Sequence, residues 1–120
     1  MTAGVREINV YGQDIIWVDY EGCKTPEQMI QIFNEALDFL IRKNEQSLML
    51  TSFKNTSIPS PFLNYMQEQT PRVAHLIKRN ALIGMNKSKK MIFKGISESS
   101  GVTQIVFDSE HEAIKFLLKE

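Results

Sequence analysis

The chain has 120 residues, no net formal charge, 42% hydrophobic and 23% charged residues, the size and balance of one soluble domain with a real core rather than a disordered chain. Its one cysteine, Cys23, excludes an internal disulfide framework and suits a reducing compartment, and no run approaches the ~18 apolar residues of a membrane span. The start, Met1 to Tyr11, has no apolar segment behind a basic one, so no secretory signal is expected and the cytoplasm is the default location.

Ile8, Val10 and Tyr11 lead through Gly12-Gln13-Asp14 into Ile15-Ile16-Trp17-Val18-Asp19-Tyr20. Two runs of β-branched and aromatic residues around a short glycine turn predict a β-hairpin. Met1 to Gly4 reads as a frayed start. After the loop Glu21-Gly22-Cys23-Lys24, a helix start is marked three ways: Thr25 can cap, Pro26 suits the first helical position, and Gln28 completes a capping box. Met29, Ile30, Phe33, Ala36, Leu37, Leu40 and Ile41 recur at helical spacing and predict the buried face, with Ile32 and Phe39 toward its edge.

The stretch Ser47–Leu63 is central. Leu48-Met49-Leu50-Thr51-Ser52-Phe53 predicts a buried strand, the polar loop Lys54-Asn55-Thr56-Ser57-Ile58-Pro59 follows, and Ser60-Pro61 opens a helix with Ser60 as its cap. Phe62, Leu63 and Met66 face inward. Thr70-Pro71 must interrupt or kink that helix, or cap a second short one, with Val73 and Ile77 continuing the apolar face. Asn80 ends that element, and Ala81-Leu82-Ile83-Gly84-Met85 is the next strand. Asn86-Lys87-Ser88 opens a basic helix with Met91, Ile92 and Ile96 inward, stopped at Ser99-Ser100-Gly101. Thr103–Phe107 is the last strand, and Ser109 with Glu112 forms a second capping box before Ala113, Ile114, Leu117 and Leu118.

The resulting order, ββ then α, β, α, β, α, β, α, predicts an α/β fold. Strands that alternate with helices pair in parallel through right-handed crossovers, and the first strand adds an antiparallel partner. A mixed sheet of about five strands with about four helices follows. The loop after the central strand lies where open α/β sheets place their sites.

The element order resembles that of the SpoIIAA-like branch of the STAS superfamily, the anti-sigma-factor-antagonist fold. So do the strings Val18-Asp19-Tyr20-Glu21-Gly22, Ala81-Leu82-Ile83-Gly84 and Val106-Phe107-Asp108-Ser109 leading to Glu112-Ala113-Ile114-Lys115-Phe116-Leu117. The resemblance implies a single STAS-like domain over residues 1–120 that acts as a non-enzymatic regulatory or protein-interaction module. Phosphorylatable members carry Asp-Ser-Ser/Thr-Gly at the start of the helix after the central strand. Laid here without gaps, that motif falls on Pro59-Ser60-Pro61-Phe62, which lacks the aspartate, the glycine and the second hydroxyl, so the resemblance argues against the serine phosphoswitch. The branch is also described as similar to the lipid-binding Sec14 domain. That similarity implies an alternative, a small apolar-ligand or lipid carrier with Met29, Phe33, Phe62, Met66 and Phe93 lining the cleft; at helical spacing these residues also read simply as core.

Charge is unevenly spread. Residues 1–68 hold nine acids and five bases, residues 98–120 five acids and two bases, and residues 69–97 seven bases with no acid. Arg72, Lys87, Lys89 and Lys90 are the candidates for an anion-binding surface; the plainer reading is a set of solvated positions on two helices. Partner contacts are expected from Lys54, Thr56, Ser57 and Ser60. Nucleic acid is not an expected partner, because the basic segment has only Phe93 as an aromatic. No catalytic residue, cofactor or metal is expected. Cys23 precedes a helix N-terminus, which would favour thiolate, but no histidine is near in sequence. His75 and His111 have no ligand neighbours at turn or helical spacing. Asp14, Asp19 and Glu21 cluster around the hairpin as solvated turn acids, and Gly84-Met85-Asn86-Lys87-Ser88 lacks the spacing of a phosphate loop.

Overall fold

The hairpin is built as its turn chemistry requires. In the computed structural model, which describes residues 3–119 apart from the side chains of 87, 92 and 96–100, β1 (Gly4–Val10) and β2 (Gln13–Asp19) pair antiparallel from Gly4–Asp19 to Val10–Gln13. Tyr11 (φ 49°) and Gly12 (φ 82°) form the two-residue connection. Both have the left-handed backbone that matches the twist of a tight hairpin.

From β2 onward every neighbour is parallel. The sheet runs β1-β2-β3-β4-β5, with β3 at Ser47–Ser52, β4 at Ile77–Ile83 and β5 at Gln104–Val106. All six residues of β3 are buried, as expected of a central strand covered on both faces. Helix α1 (Pro26–Lys43) follows β2, α2 (Ser60–Gln69) follows β3, α3 (Lys87–Ser100) follows β4, and α4 (Glu110–Leu117) follows β5. Three crossovers of one hand put α1, α2 and α3 on one face of the sheet. There Ile16, Val18, Met49 and Leu82 meet Met29, Leu40, Phe62, Met66 and Phe93. On the other face α4 alone brings Ala113 and Leu117 onto Ile15, Leu48, Leu50, Ala81 and Ile83.

Local signals hold at three helix starts. The Thr25–Gln28 capping box is complete, Asn86 accepts from the Lys89 amide, and Ser109 accepts from the Glu112 amide. The fourth does not follow expectation. Helix α2 has Pro59 at its cap position and Ser60 already inside, with no side-chain cap bond. Pro61 then stands second, where it lacks the amide that a capping hydroxyl would meet.

Other boundaries also move. Gly4 belongs to β1, opposite Asp19, rather than to a frayed start. Strand β4 begins at Ile77, not Ala81; α2 ends at Gln69 and two 3-10 turns, Thr70–Arg72 and Ala74–Leu76, reverse the chain. Asn80 is thus a ladder residue and not a helix end, because pairing with β3 overrides the weak strand propensity of Ile77-Lys78-Arg79-Asn80. In α1, Ile32 is buried and Ile41 is 52% exposed, so the buried face is rotated from the expected one. In α3, Met91 is 74% exposed and Phe93 takes the inward place. Lys87, Ile92 and Ile96 have side chains outside the described residues.

Candidate interaction site

The parallel strands all end at the same edge, so the loops after β2, β3 and β4 meet there. The loop after β3 is fastened to both neighbours. The Tyr20 amide donates to Ser52 O at 2.9 Å and the Phe53 amide to Ile83 O at 3.0 Å, which extends the pairing past the strand ends. Thr56 is buried, and its hydroxyl donates to Cys23 O at 2.9 Å in the loop after β2. Lys89, from the first turn of α3, donates through Nζ to Thr56 O at 2.6 Å. Asn55 Nδ2 donates to Glu21 Oε2 at 3.1 Å.

Gly84 closes the other side. Its φ is 81°, and a Cβ there would lie 2.4 Å from the Lys54 backbone nitrogen. Only glycine permits both the left-handed turn and this approach. Beneath the loop, Tyr20 and Phe53 stack with ring centroids 4.8 Å apart and planes within 6°. Phe62 meets both edge-on, and Phe93 packs against Phe53. Aromatic pairs in these arrangements add to simple burial. The loop therefore has a rigid base, while Lys54, Asn55, Ser57 and Ser60 are exposed.

The four residues expected to meet a partner separate into two kinds. Lys54, Ser57 and Ser60 face solvent, whereas Thr56 anchors the loop from inside. The expected anion surface is not gathered into one place. Lys89 is engaged with the loop carbonyl, and Lys90 pairs with Asp108 at 2.8 Å. Arg72 lies near the start of β4, at the opposite end of the parallel strands, where it bonds Gln69 Oε1 at 2.7 Å. Lys87's side chain is outside the described residues. Gly84, Glu21 and Lys89 as fasteners of the loop were not foreseen, since each contact joins residues far apart in the chain.

No catalytic arrangement forms among the candidates. Burial first, and the nearby Asp19 carboxylate second, push the Cys23 thiol up. That opposes the thiolate expected from the helix start: Cys23 lies in the turn closed by its own amide to Tyr20 O. His75 and His111 are exposed and on separate elements. The hairpin acids are also split. Asp14 accepts from Asn9 near the turn, while Asp19, at the other end of β2, is buried and accepts from the Glu21 amide. Among the described residues no three His, Cys, Asp or Glu side chains are placed to hold a metal ion.

The residues expected to line an apolar cleft are packed instead. Met29, Phe62, Met66 and Phe93 are core, and Phe33 is half-buried with its ring edge-on to Phe62 and Tyr65. Among the described residues, a cavity of about 40 Å³ lies between Tyr20, Phe33, Phe53, Met66 and Phe93. Thr51, Asn80 and Gln104 also line it. Thr51 Oγ1 donates to Asn80 Oδ1 at 3.0 Å, and Asn80 Nδ2 to Gln104 Oε1 at 3.1 Å, a polar ladder across β3, β4 and β5. Such a volume suits an ordered water and not an acyl chain.

No protein-family profile and no curated protein matches the sequence. A match comes from structure. A crystal structure from Shewanella loihica PV-4, described as an uncharacterized protein from the DUF3478 family with a SpoIIAA-like fold, superposes with a TM-score of 0.64 at 14% identity, over 98% of this chain and 96% of that one. No helix among the described residues is long and apolar enough to cross a membrane. The antiparallel hairpin, the parallel βα units and the superposition over nearly the whole chain lead to one conclusion: this chain has a SpoIIAA-like, STAS-like α/β fold.

Proposed function

We propose that the chain is a non-enzymatic regulatory module of the cytoplasm that docks a protein partner on the loop after β3 and works without a serine phosphoswitch. The observation that carries this reading is the contrast within one loop. Its Thr56 hydroxyl is tied to Cys23, its Thr56 carbonyl to Lys89, its Asn55 side chain to Glu21 and the preceding Phe53 amide to Ile83, while the side chains of Lys54 and Ser57 face solvent. A loop held in one conformation loses little entropy on binding, which favours recognition. Ser60 is exposed but flanked by Pro59 and Pro61, a context unlike the phosphorylated motif of the fold. The carrier reading has less support, because Phe62 and its neighbours fill the space between helices and sheet.

The test is quantitative affinity capture from the source cells with three baits: the native chain, a Lys54→Glu/Ser57→Arg double variant, and Arg72→Glu as a remote control. Capture is then repeated with the purified partner by titration calorimetry. We expect affinity to fall by about tenfold or more for the double variant, the scale of lost interface anchors, and to hold for the control. Equal affinity for all three baits would refute docking on this loop.

A further inference from the structure

The geometry points to a second binding site, in the groove between the β1–β2 turn and α4, that takes an amphipathic organic anion: one carboxylate on an apolar body. The groove is a consequence of topology. Helix α4 packs mainly on β3 and β4 and meets β2 at Ile15, so Ile8, Val10 and Trp17 beyond it remain only half-buried. The Arg6 guanidinium lies over the Trp17 ring at 5.8 Å and shields that part. The stretch nearer the turn stays open, with a volume of about 560 Å³, within the ~300–1,000 Å³ usual for small-molecule sites.

Its lining sorts by chemistry. Val10, Tyr11, Ile114 and Leu118 supply the apolar wall, and His111, Lys115 and Lys119 supply the polar one. His111, Ile114 and Lys115 lie on α4 at helical spacing, and Leu118 and Lys119 follow in the turn that ends it. No acidic side chain lines the groove among the described residues; Glu110 and Glu112 of the same helix lie elsewhere. The end of a helix would normally present partly negative carbonyls to an anion. Here Arg79 Nη2 donates to Leu117 O at 2.8 Å and Lys119 O at 2.6 Å, which neutralises them. Tyr11, 92% exposed, is held at the turn with φ 49°, a conformation that costs a non-glycine residue about 1–2 kcal/mol. Its ring stands at the edge of the groove, accessible to a ligand. Charge complementarity selects the ligand: two lysines fix a carboxylate head, and the aliphatic wall takes the body.

Decanoate is the probe, titrated into the full chain and followed by amide resonances in two-dimensional NMR, with decanol as the uncharged comparison. Shifts should concentrate at Val10, Tyr11, Ile114 and Leu118, with decanol binding more weakly. The Lys115→Glu/Lys119→Glu variant should bind decanoate about tenfold less tightly or worse, the size expected for reversing two charges near a surface. Both lysines are exposed, so the fold should persist; if that pair does not fold, Lys115→Gln/Lys119→Gln reads the same loss. Lys54→Glu, at the other site, should leave decanoate binding unchanged. The proposal is overturned by an absence of shifts, by shifts confined to the Phe33–Phe62 interior, by equal binding of decanol, or by unchanged affinity in the lysine variants.

Discussion

The two faces of the sheet are built to different standards. On one, α1, α2 and α3 bury a continuous layer in which Tyr20, Phe53, Phe62 and Phe93 touch one another. On the other, an eight-residue helix covers two strands and leaves a groove beside it. The difference follows from chain order. Crossovers of one hand stack their helices on one face, and α4, which joins no two strands among the described residues, turns to the other. The thick face holds the loop after β3 from below, whereas the thin face has apolar surface left to offer.

The largest expected effect breaks the thick face. Phe53→Ala removes the ring that touches Tyr20, Phe62 and Phe93, and should cost ~3–5 kcal/mol in urea unfolding. A loss below 1 kcal/mol would mean that the aromatic layer is not the main support. Leu117→Ala, at the α4 residue fully buried against the sheet, should cost ~2–3 kcal/mol, at the low end for a buried leucine, because the thin layer can collapse onto the gap. If it costs more than Phe53→Ala, the ranking of the faces is wrong.

Smaller changes sharpen the same contrast at the helix starts. Thr25→Ala should lose ~1 kcal/mol with its capping box, while Ser60→Ala should stay within ~0.5 kcal/mol, as for an exposed residue without a partner. Matching denaturation midpoints for the two variants would contradict the cap assignments. The smallest effect concerns pH. The Lys90 ammonium, through its hydrogen bond and then its charge, holds the Asp108 carboxyl below the usual carboxylate range. A carboxyl lowered in the folded state favours folding above its unfolded value, and the contribution is lost as pH falls through the lowered one. Asp108 is fully solvated, so the gain is slight. Lys90→Ala should return its titration upward, read by carboxyl carbon NMR; an unchanged curve would remove the pairing.

Candidate roles divide in the same way as the faces. His111 and Lys115 stand four residues apart on α4, and the groove they line exists only because Val10 and Tyr11 arrive beside them from the other end of the chain. The segment 69–97, by contrast, was conspicuous in sequence and carries little as a unit. Lys89 and Lys90 are used locally, and Arg72 sits at the far end of the strands. A block of like charge is dispersed once a helix, a strand and a second helix carry it to different places.

What the amino-acid sequence determined alone was the order and kind of the elements. Hairpin turn, capping box and the alternation of β and α are read within a few residues, and the handedness of crossovers turns that alternation into one mixed sheet. Tertiary structure decided the rest. It drew Ile77–Asn80 into β4 through pairing with β3, moved the cap of α2 from Ser60 back to Pro59, pressed Gly84 against Lys54, and fastened Thr56 to Cys23 and Lys89. Each of these joins residues that are distant in the chain or depends on which neighbour already holds the hydrogen-bonding partner, and no local pattern carries that information.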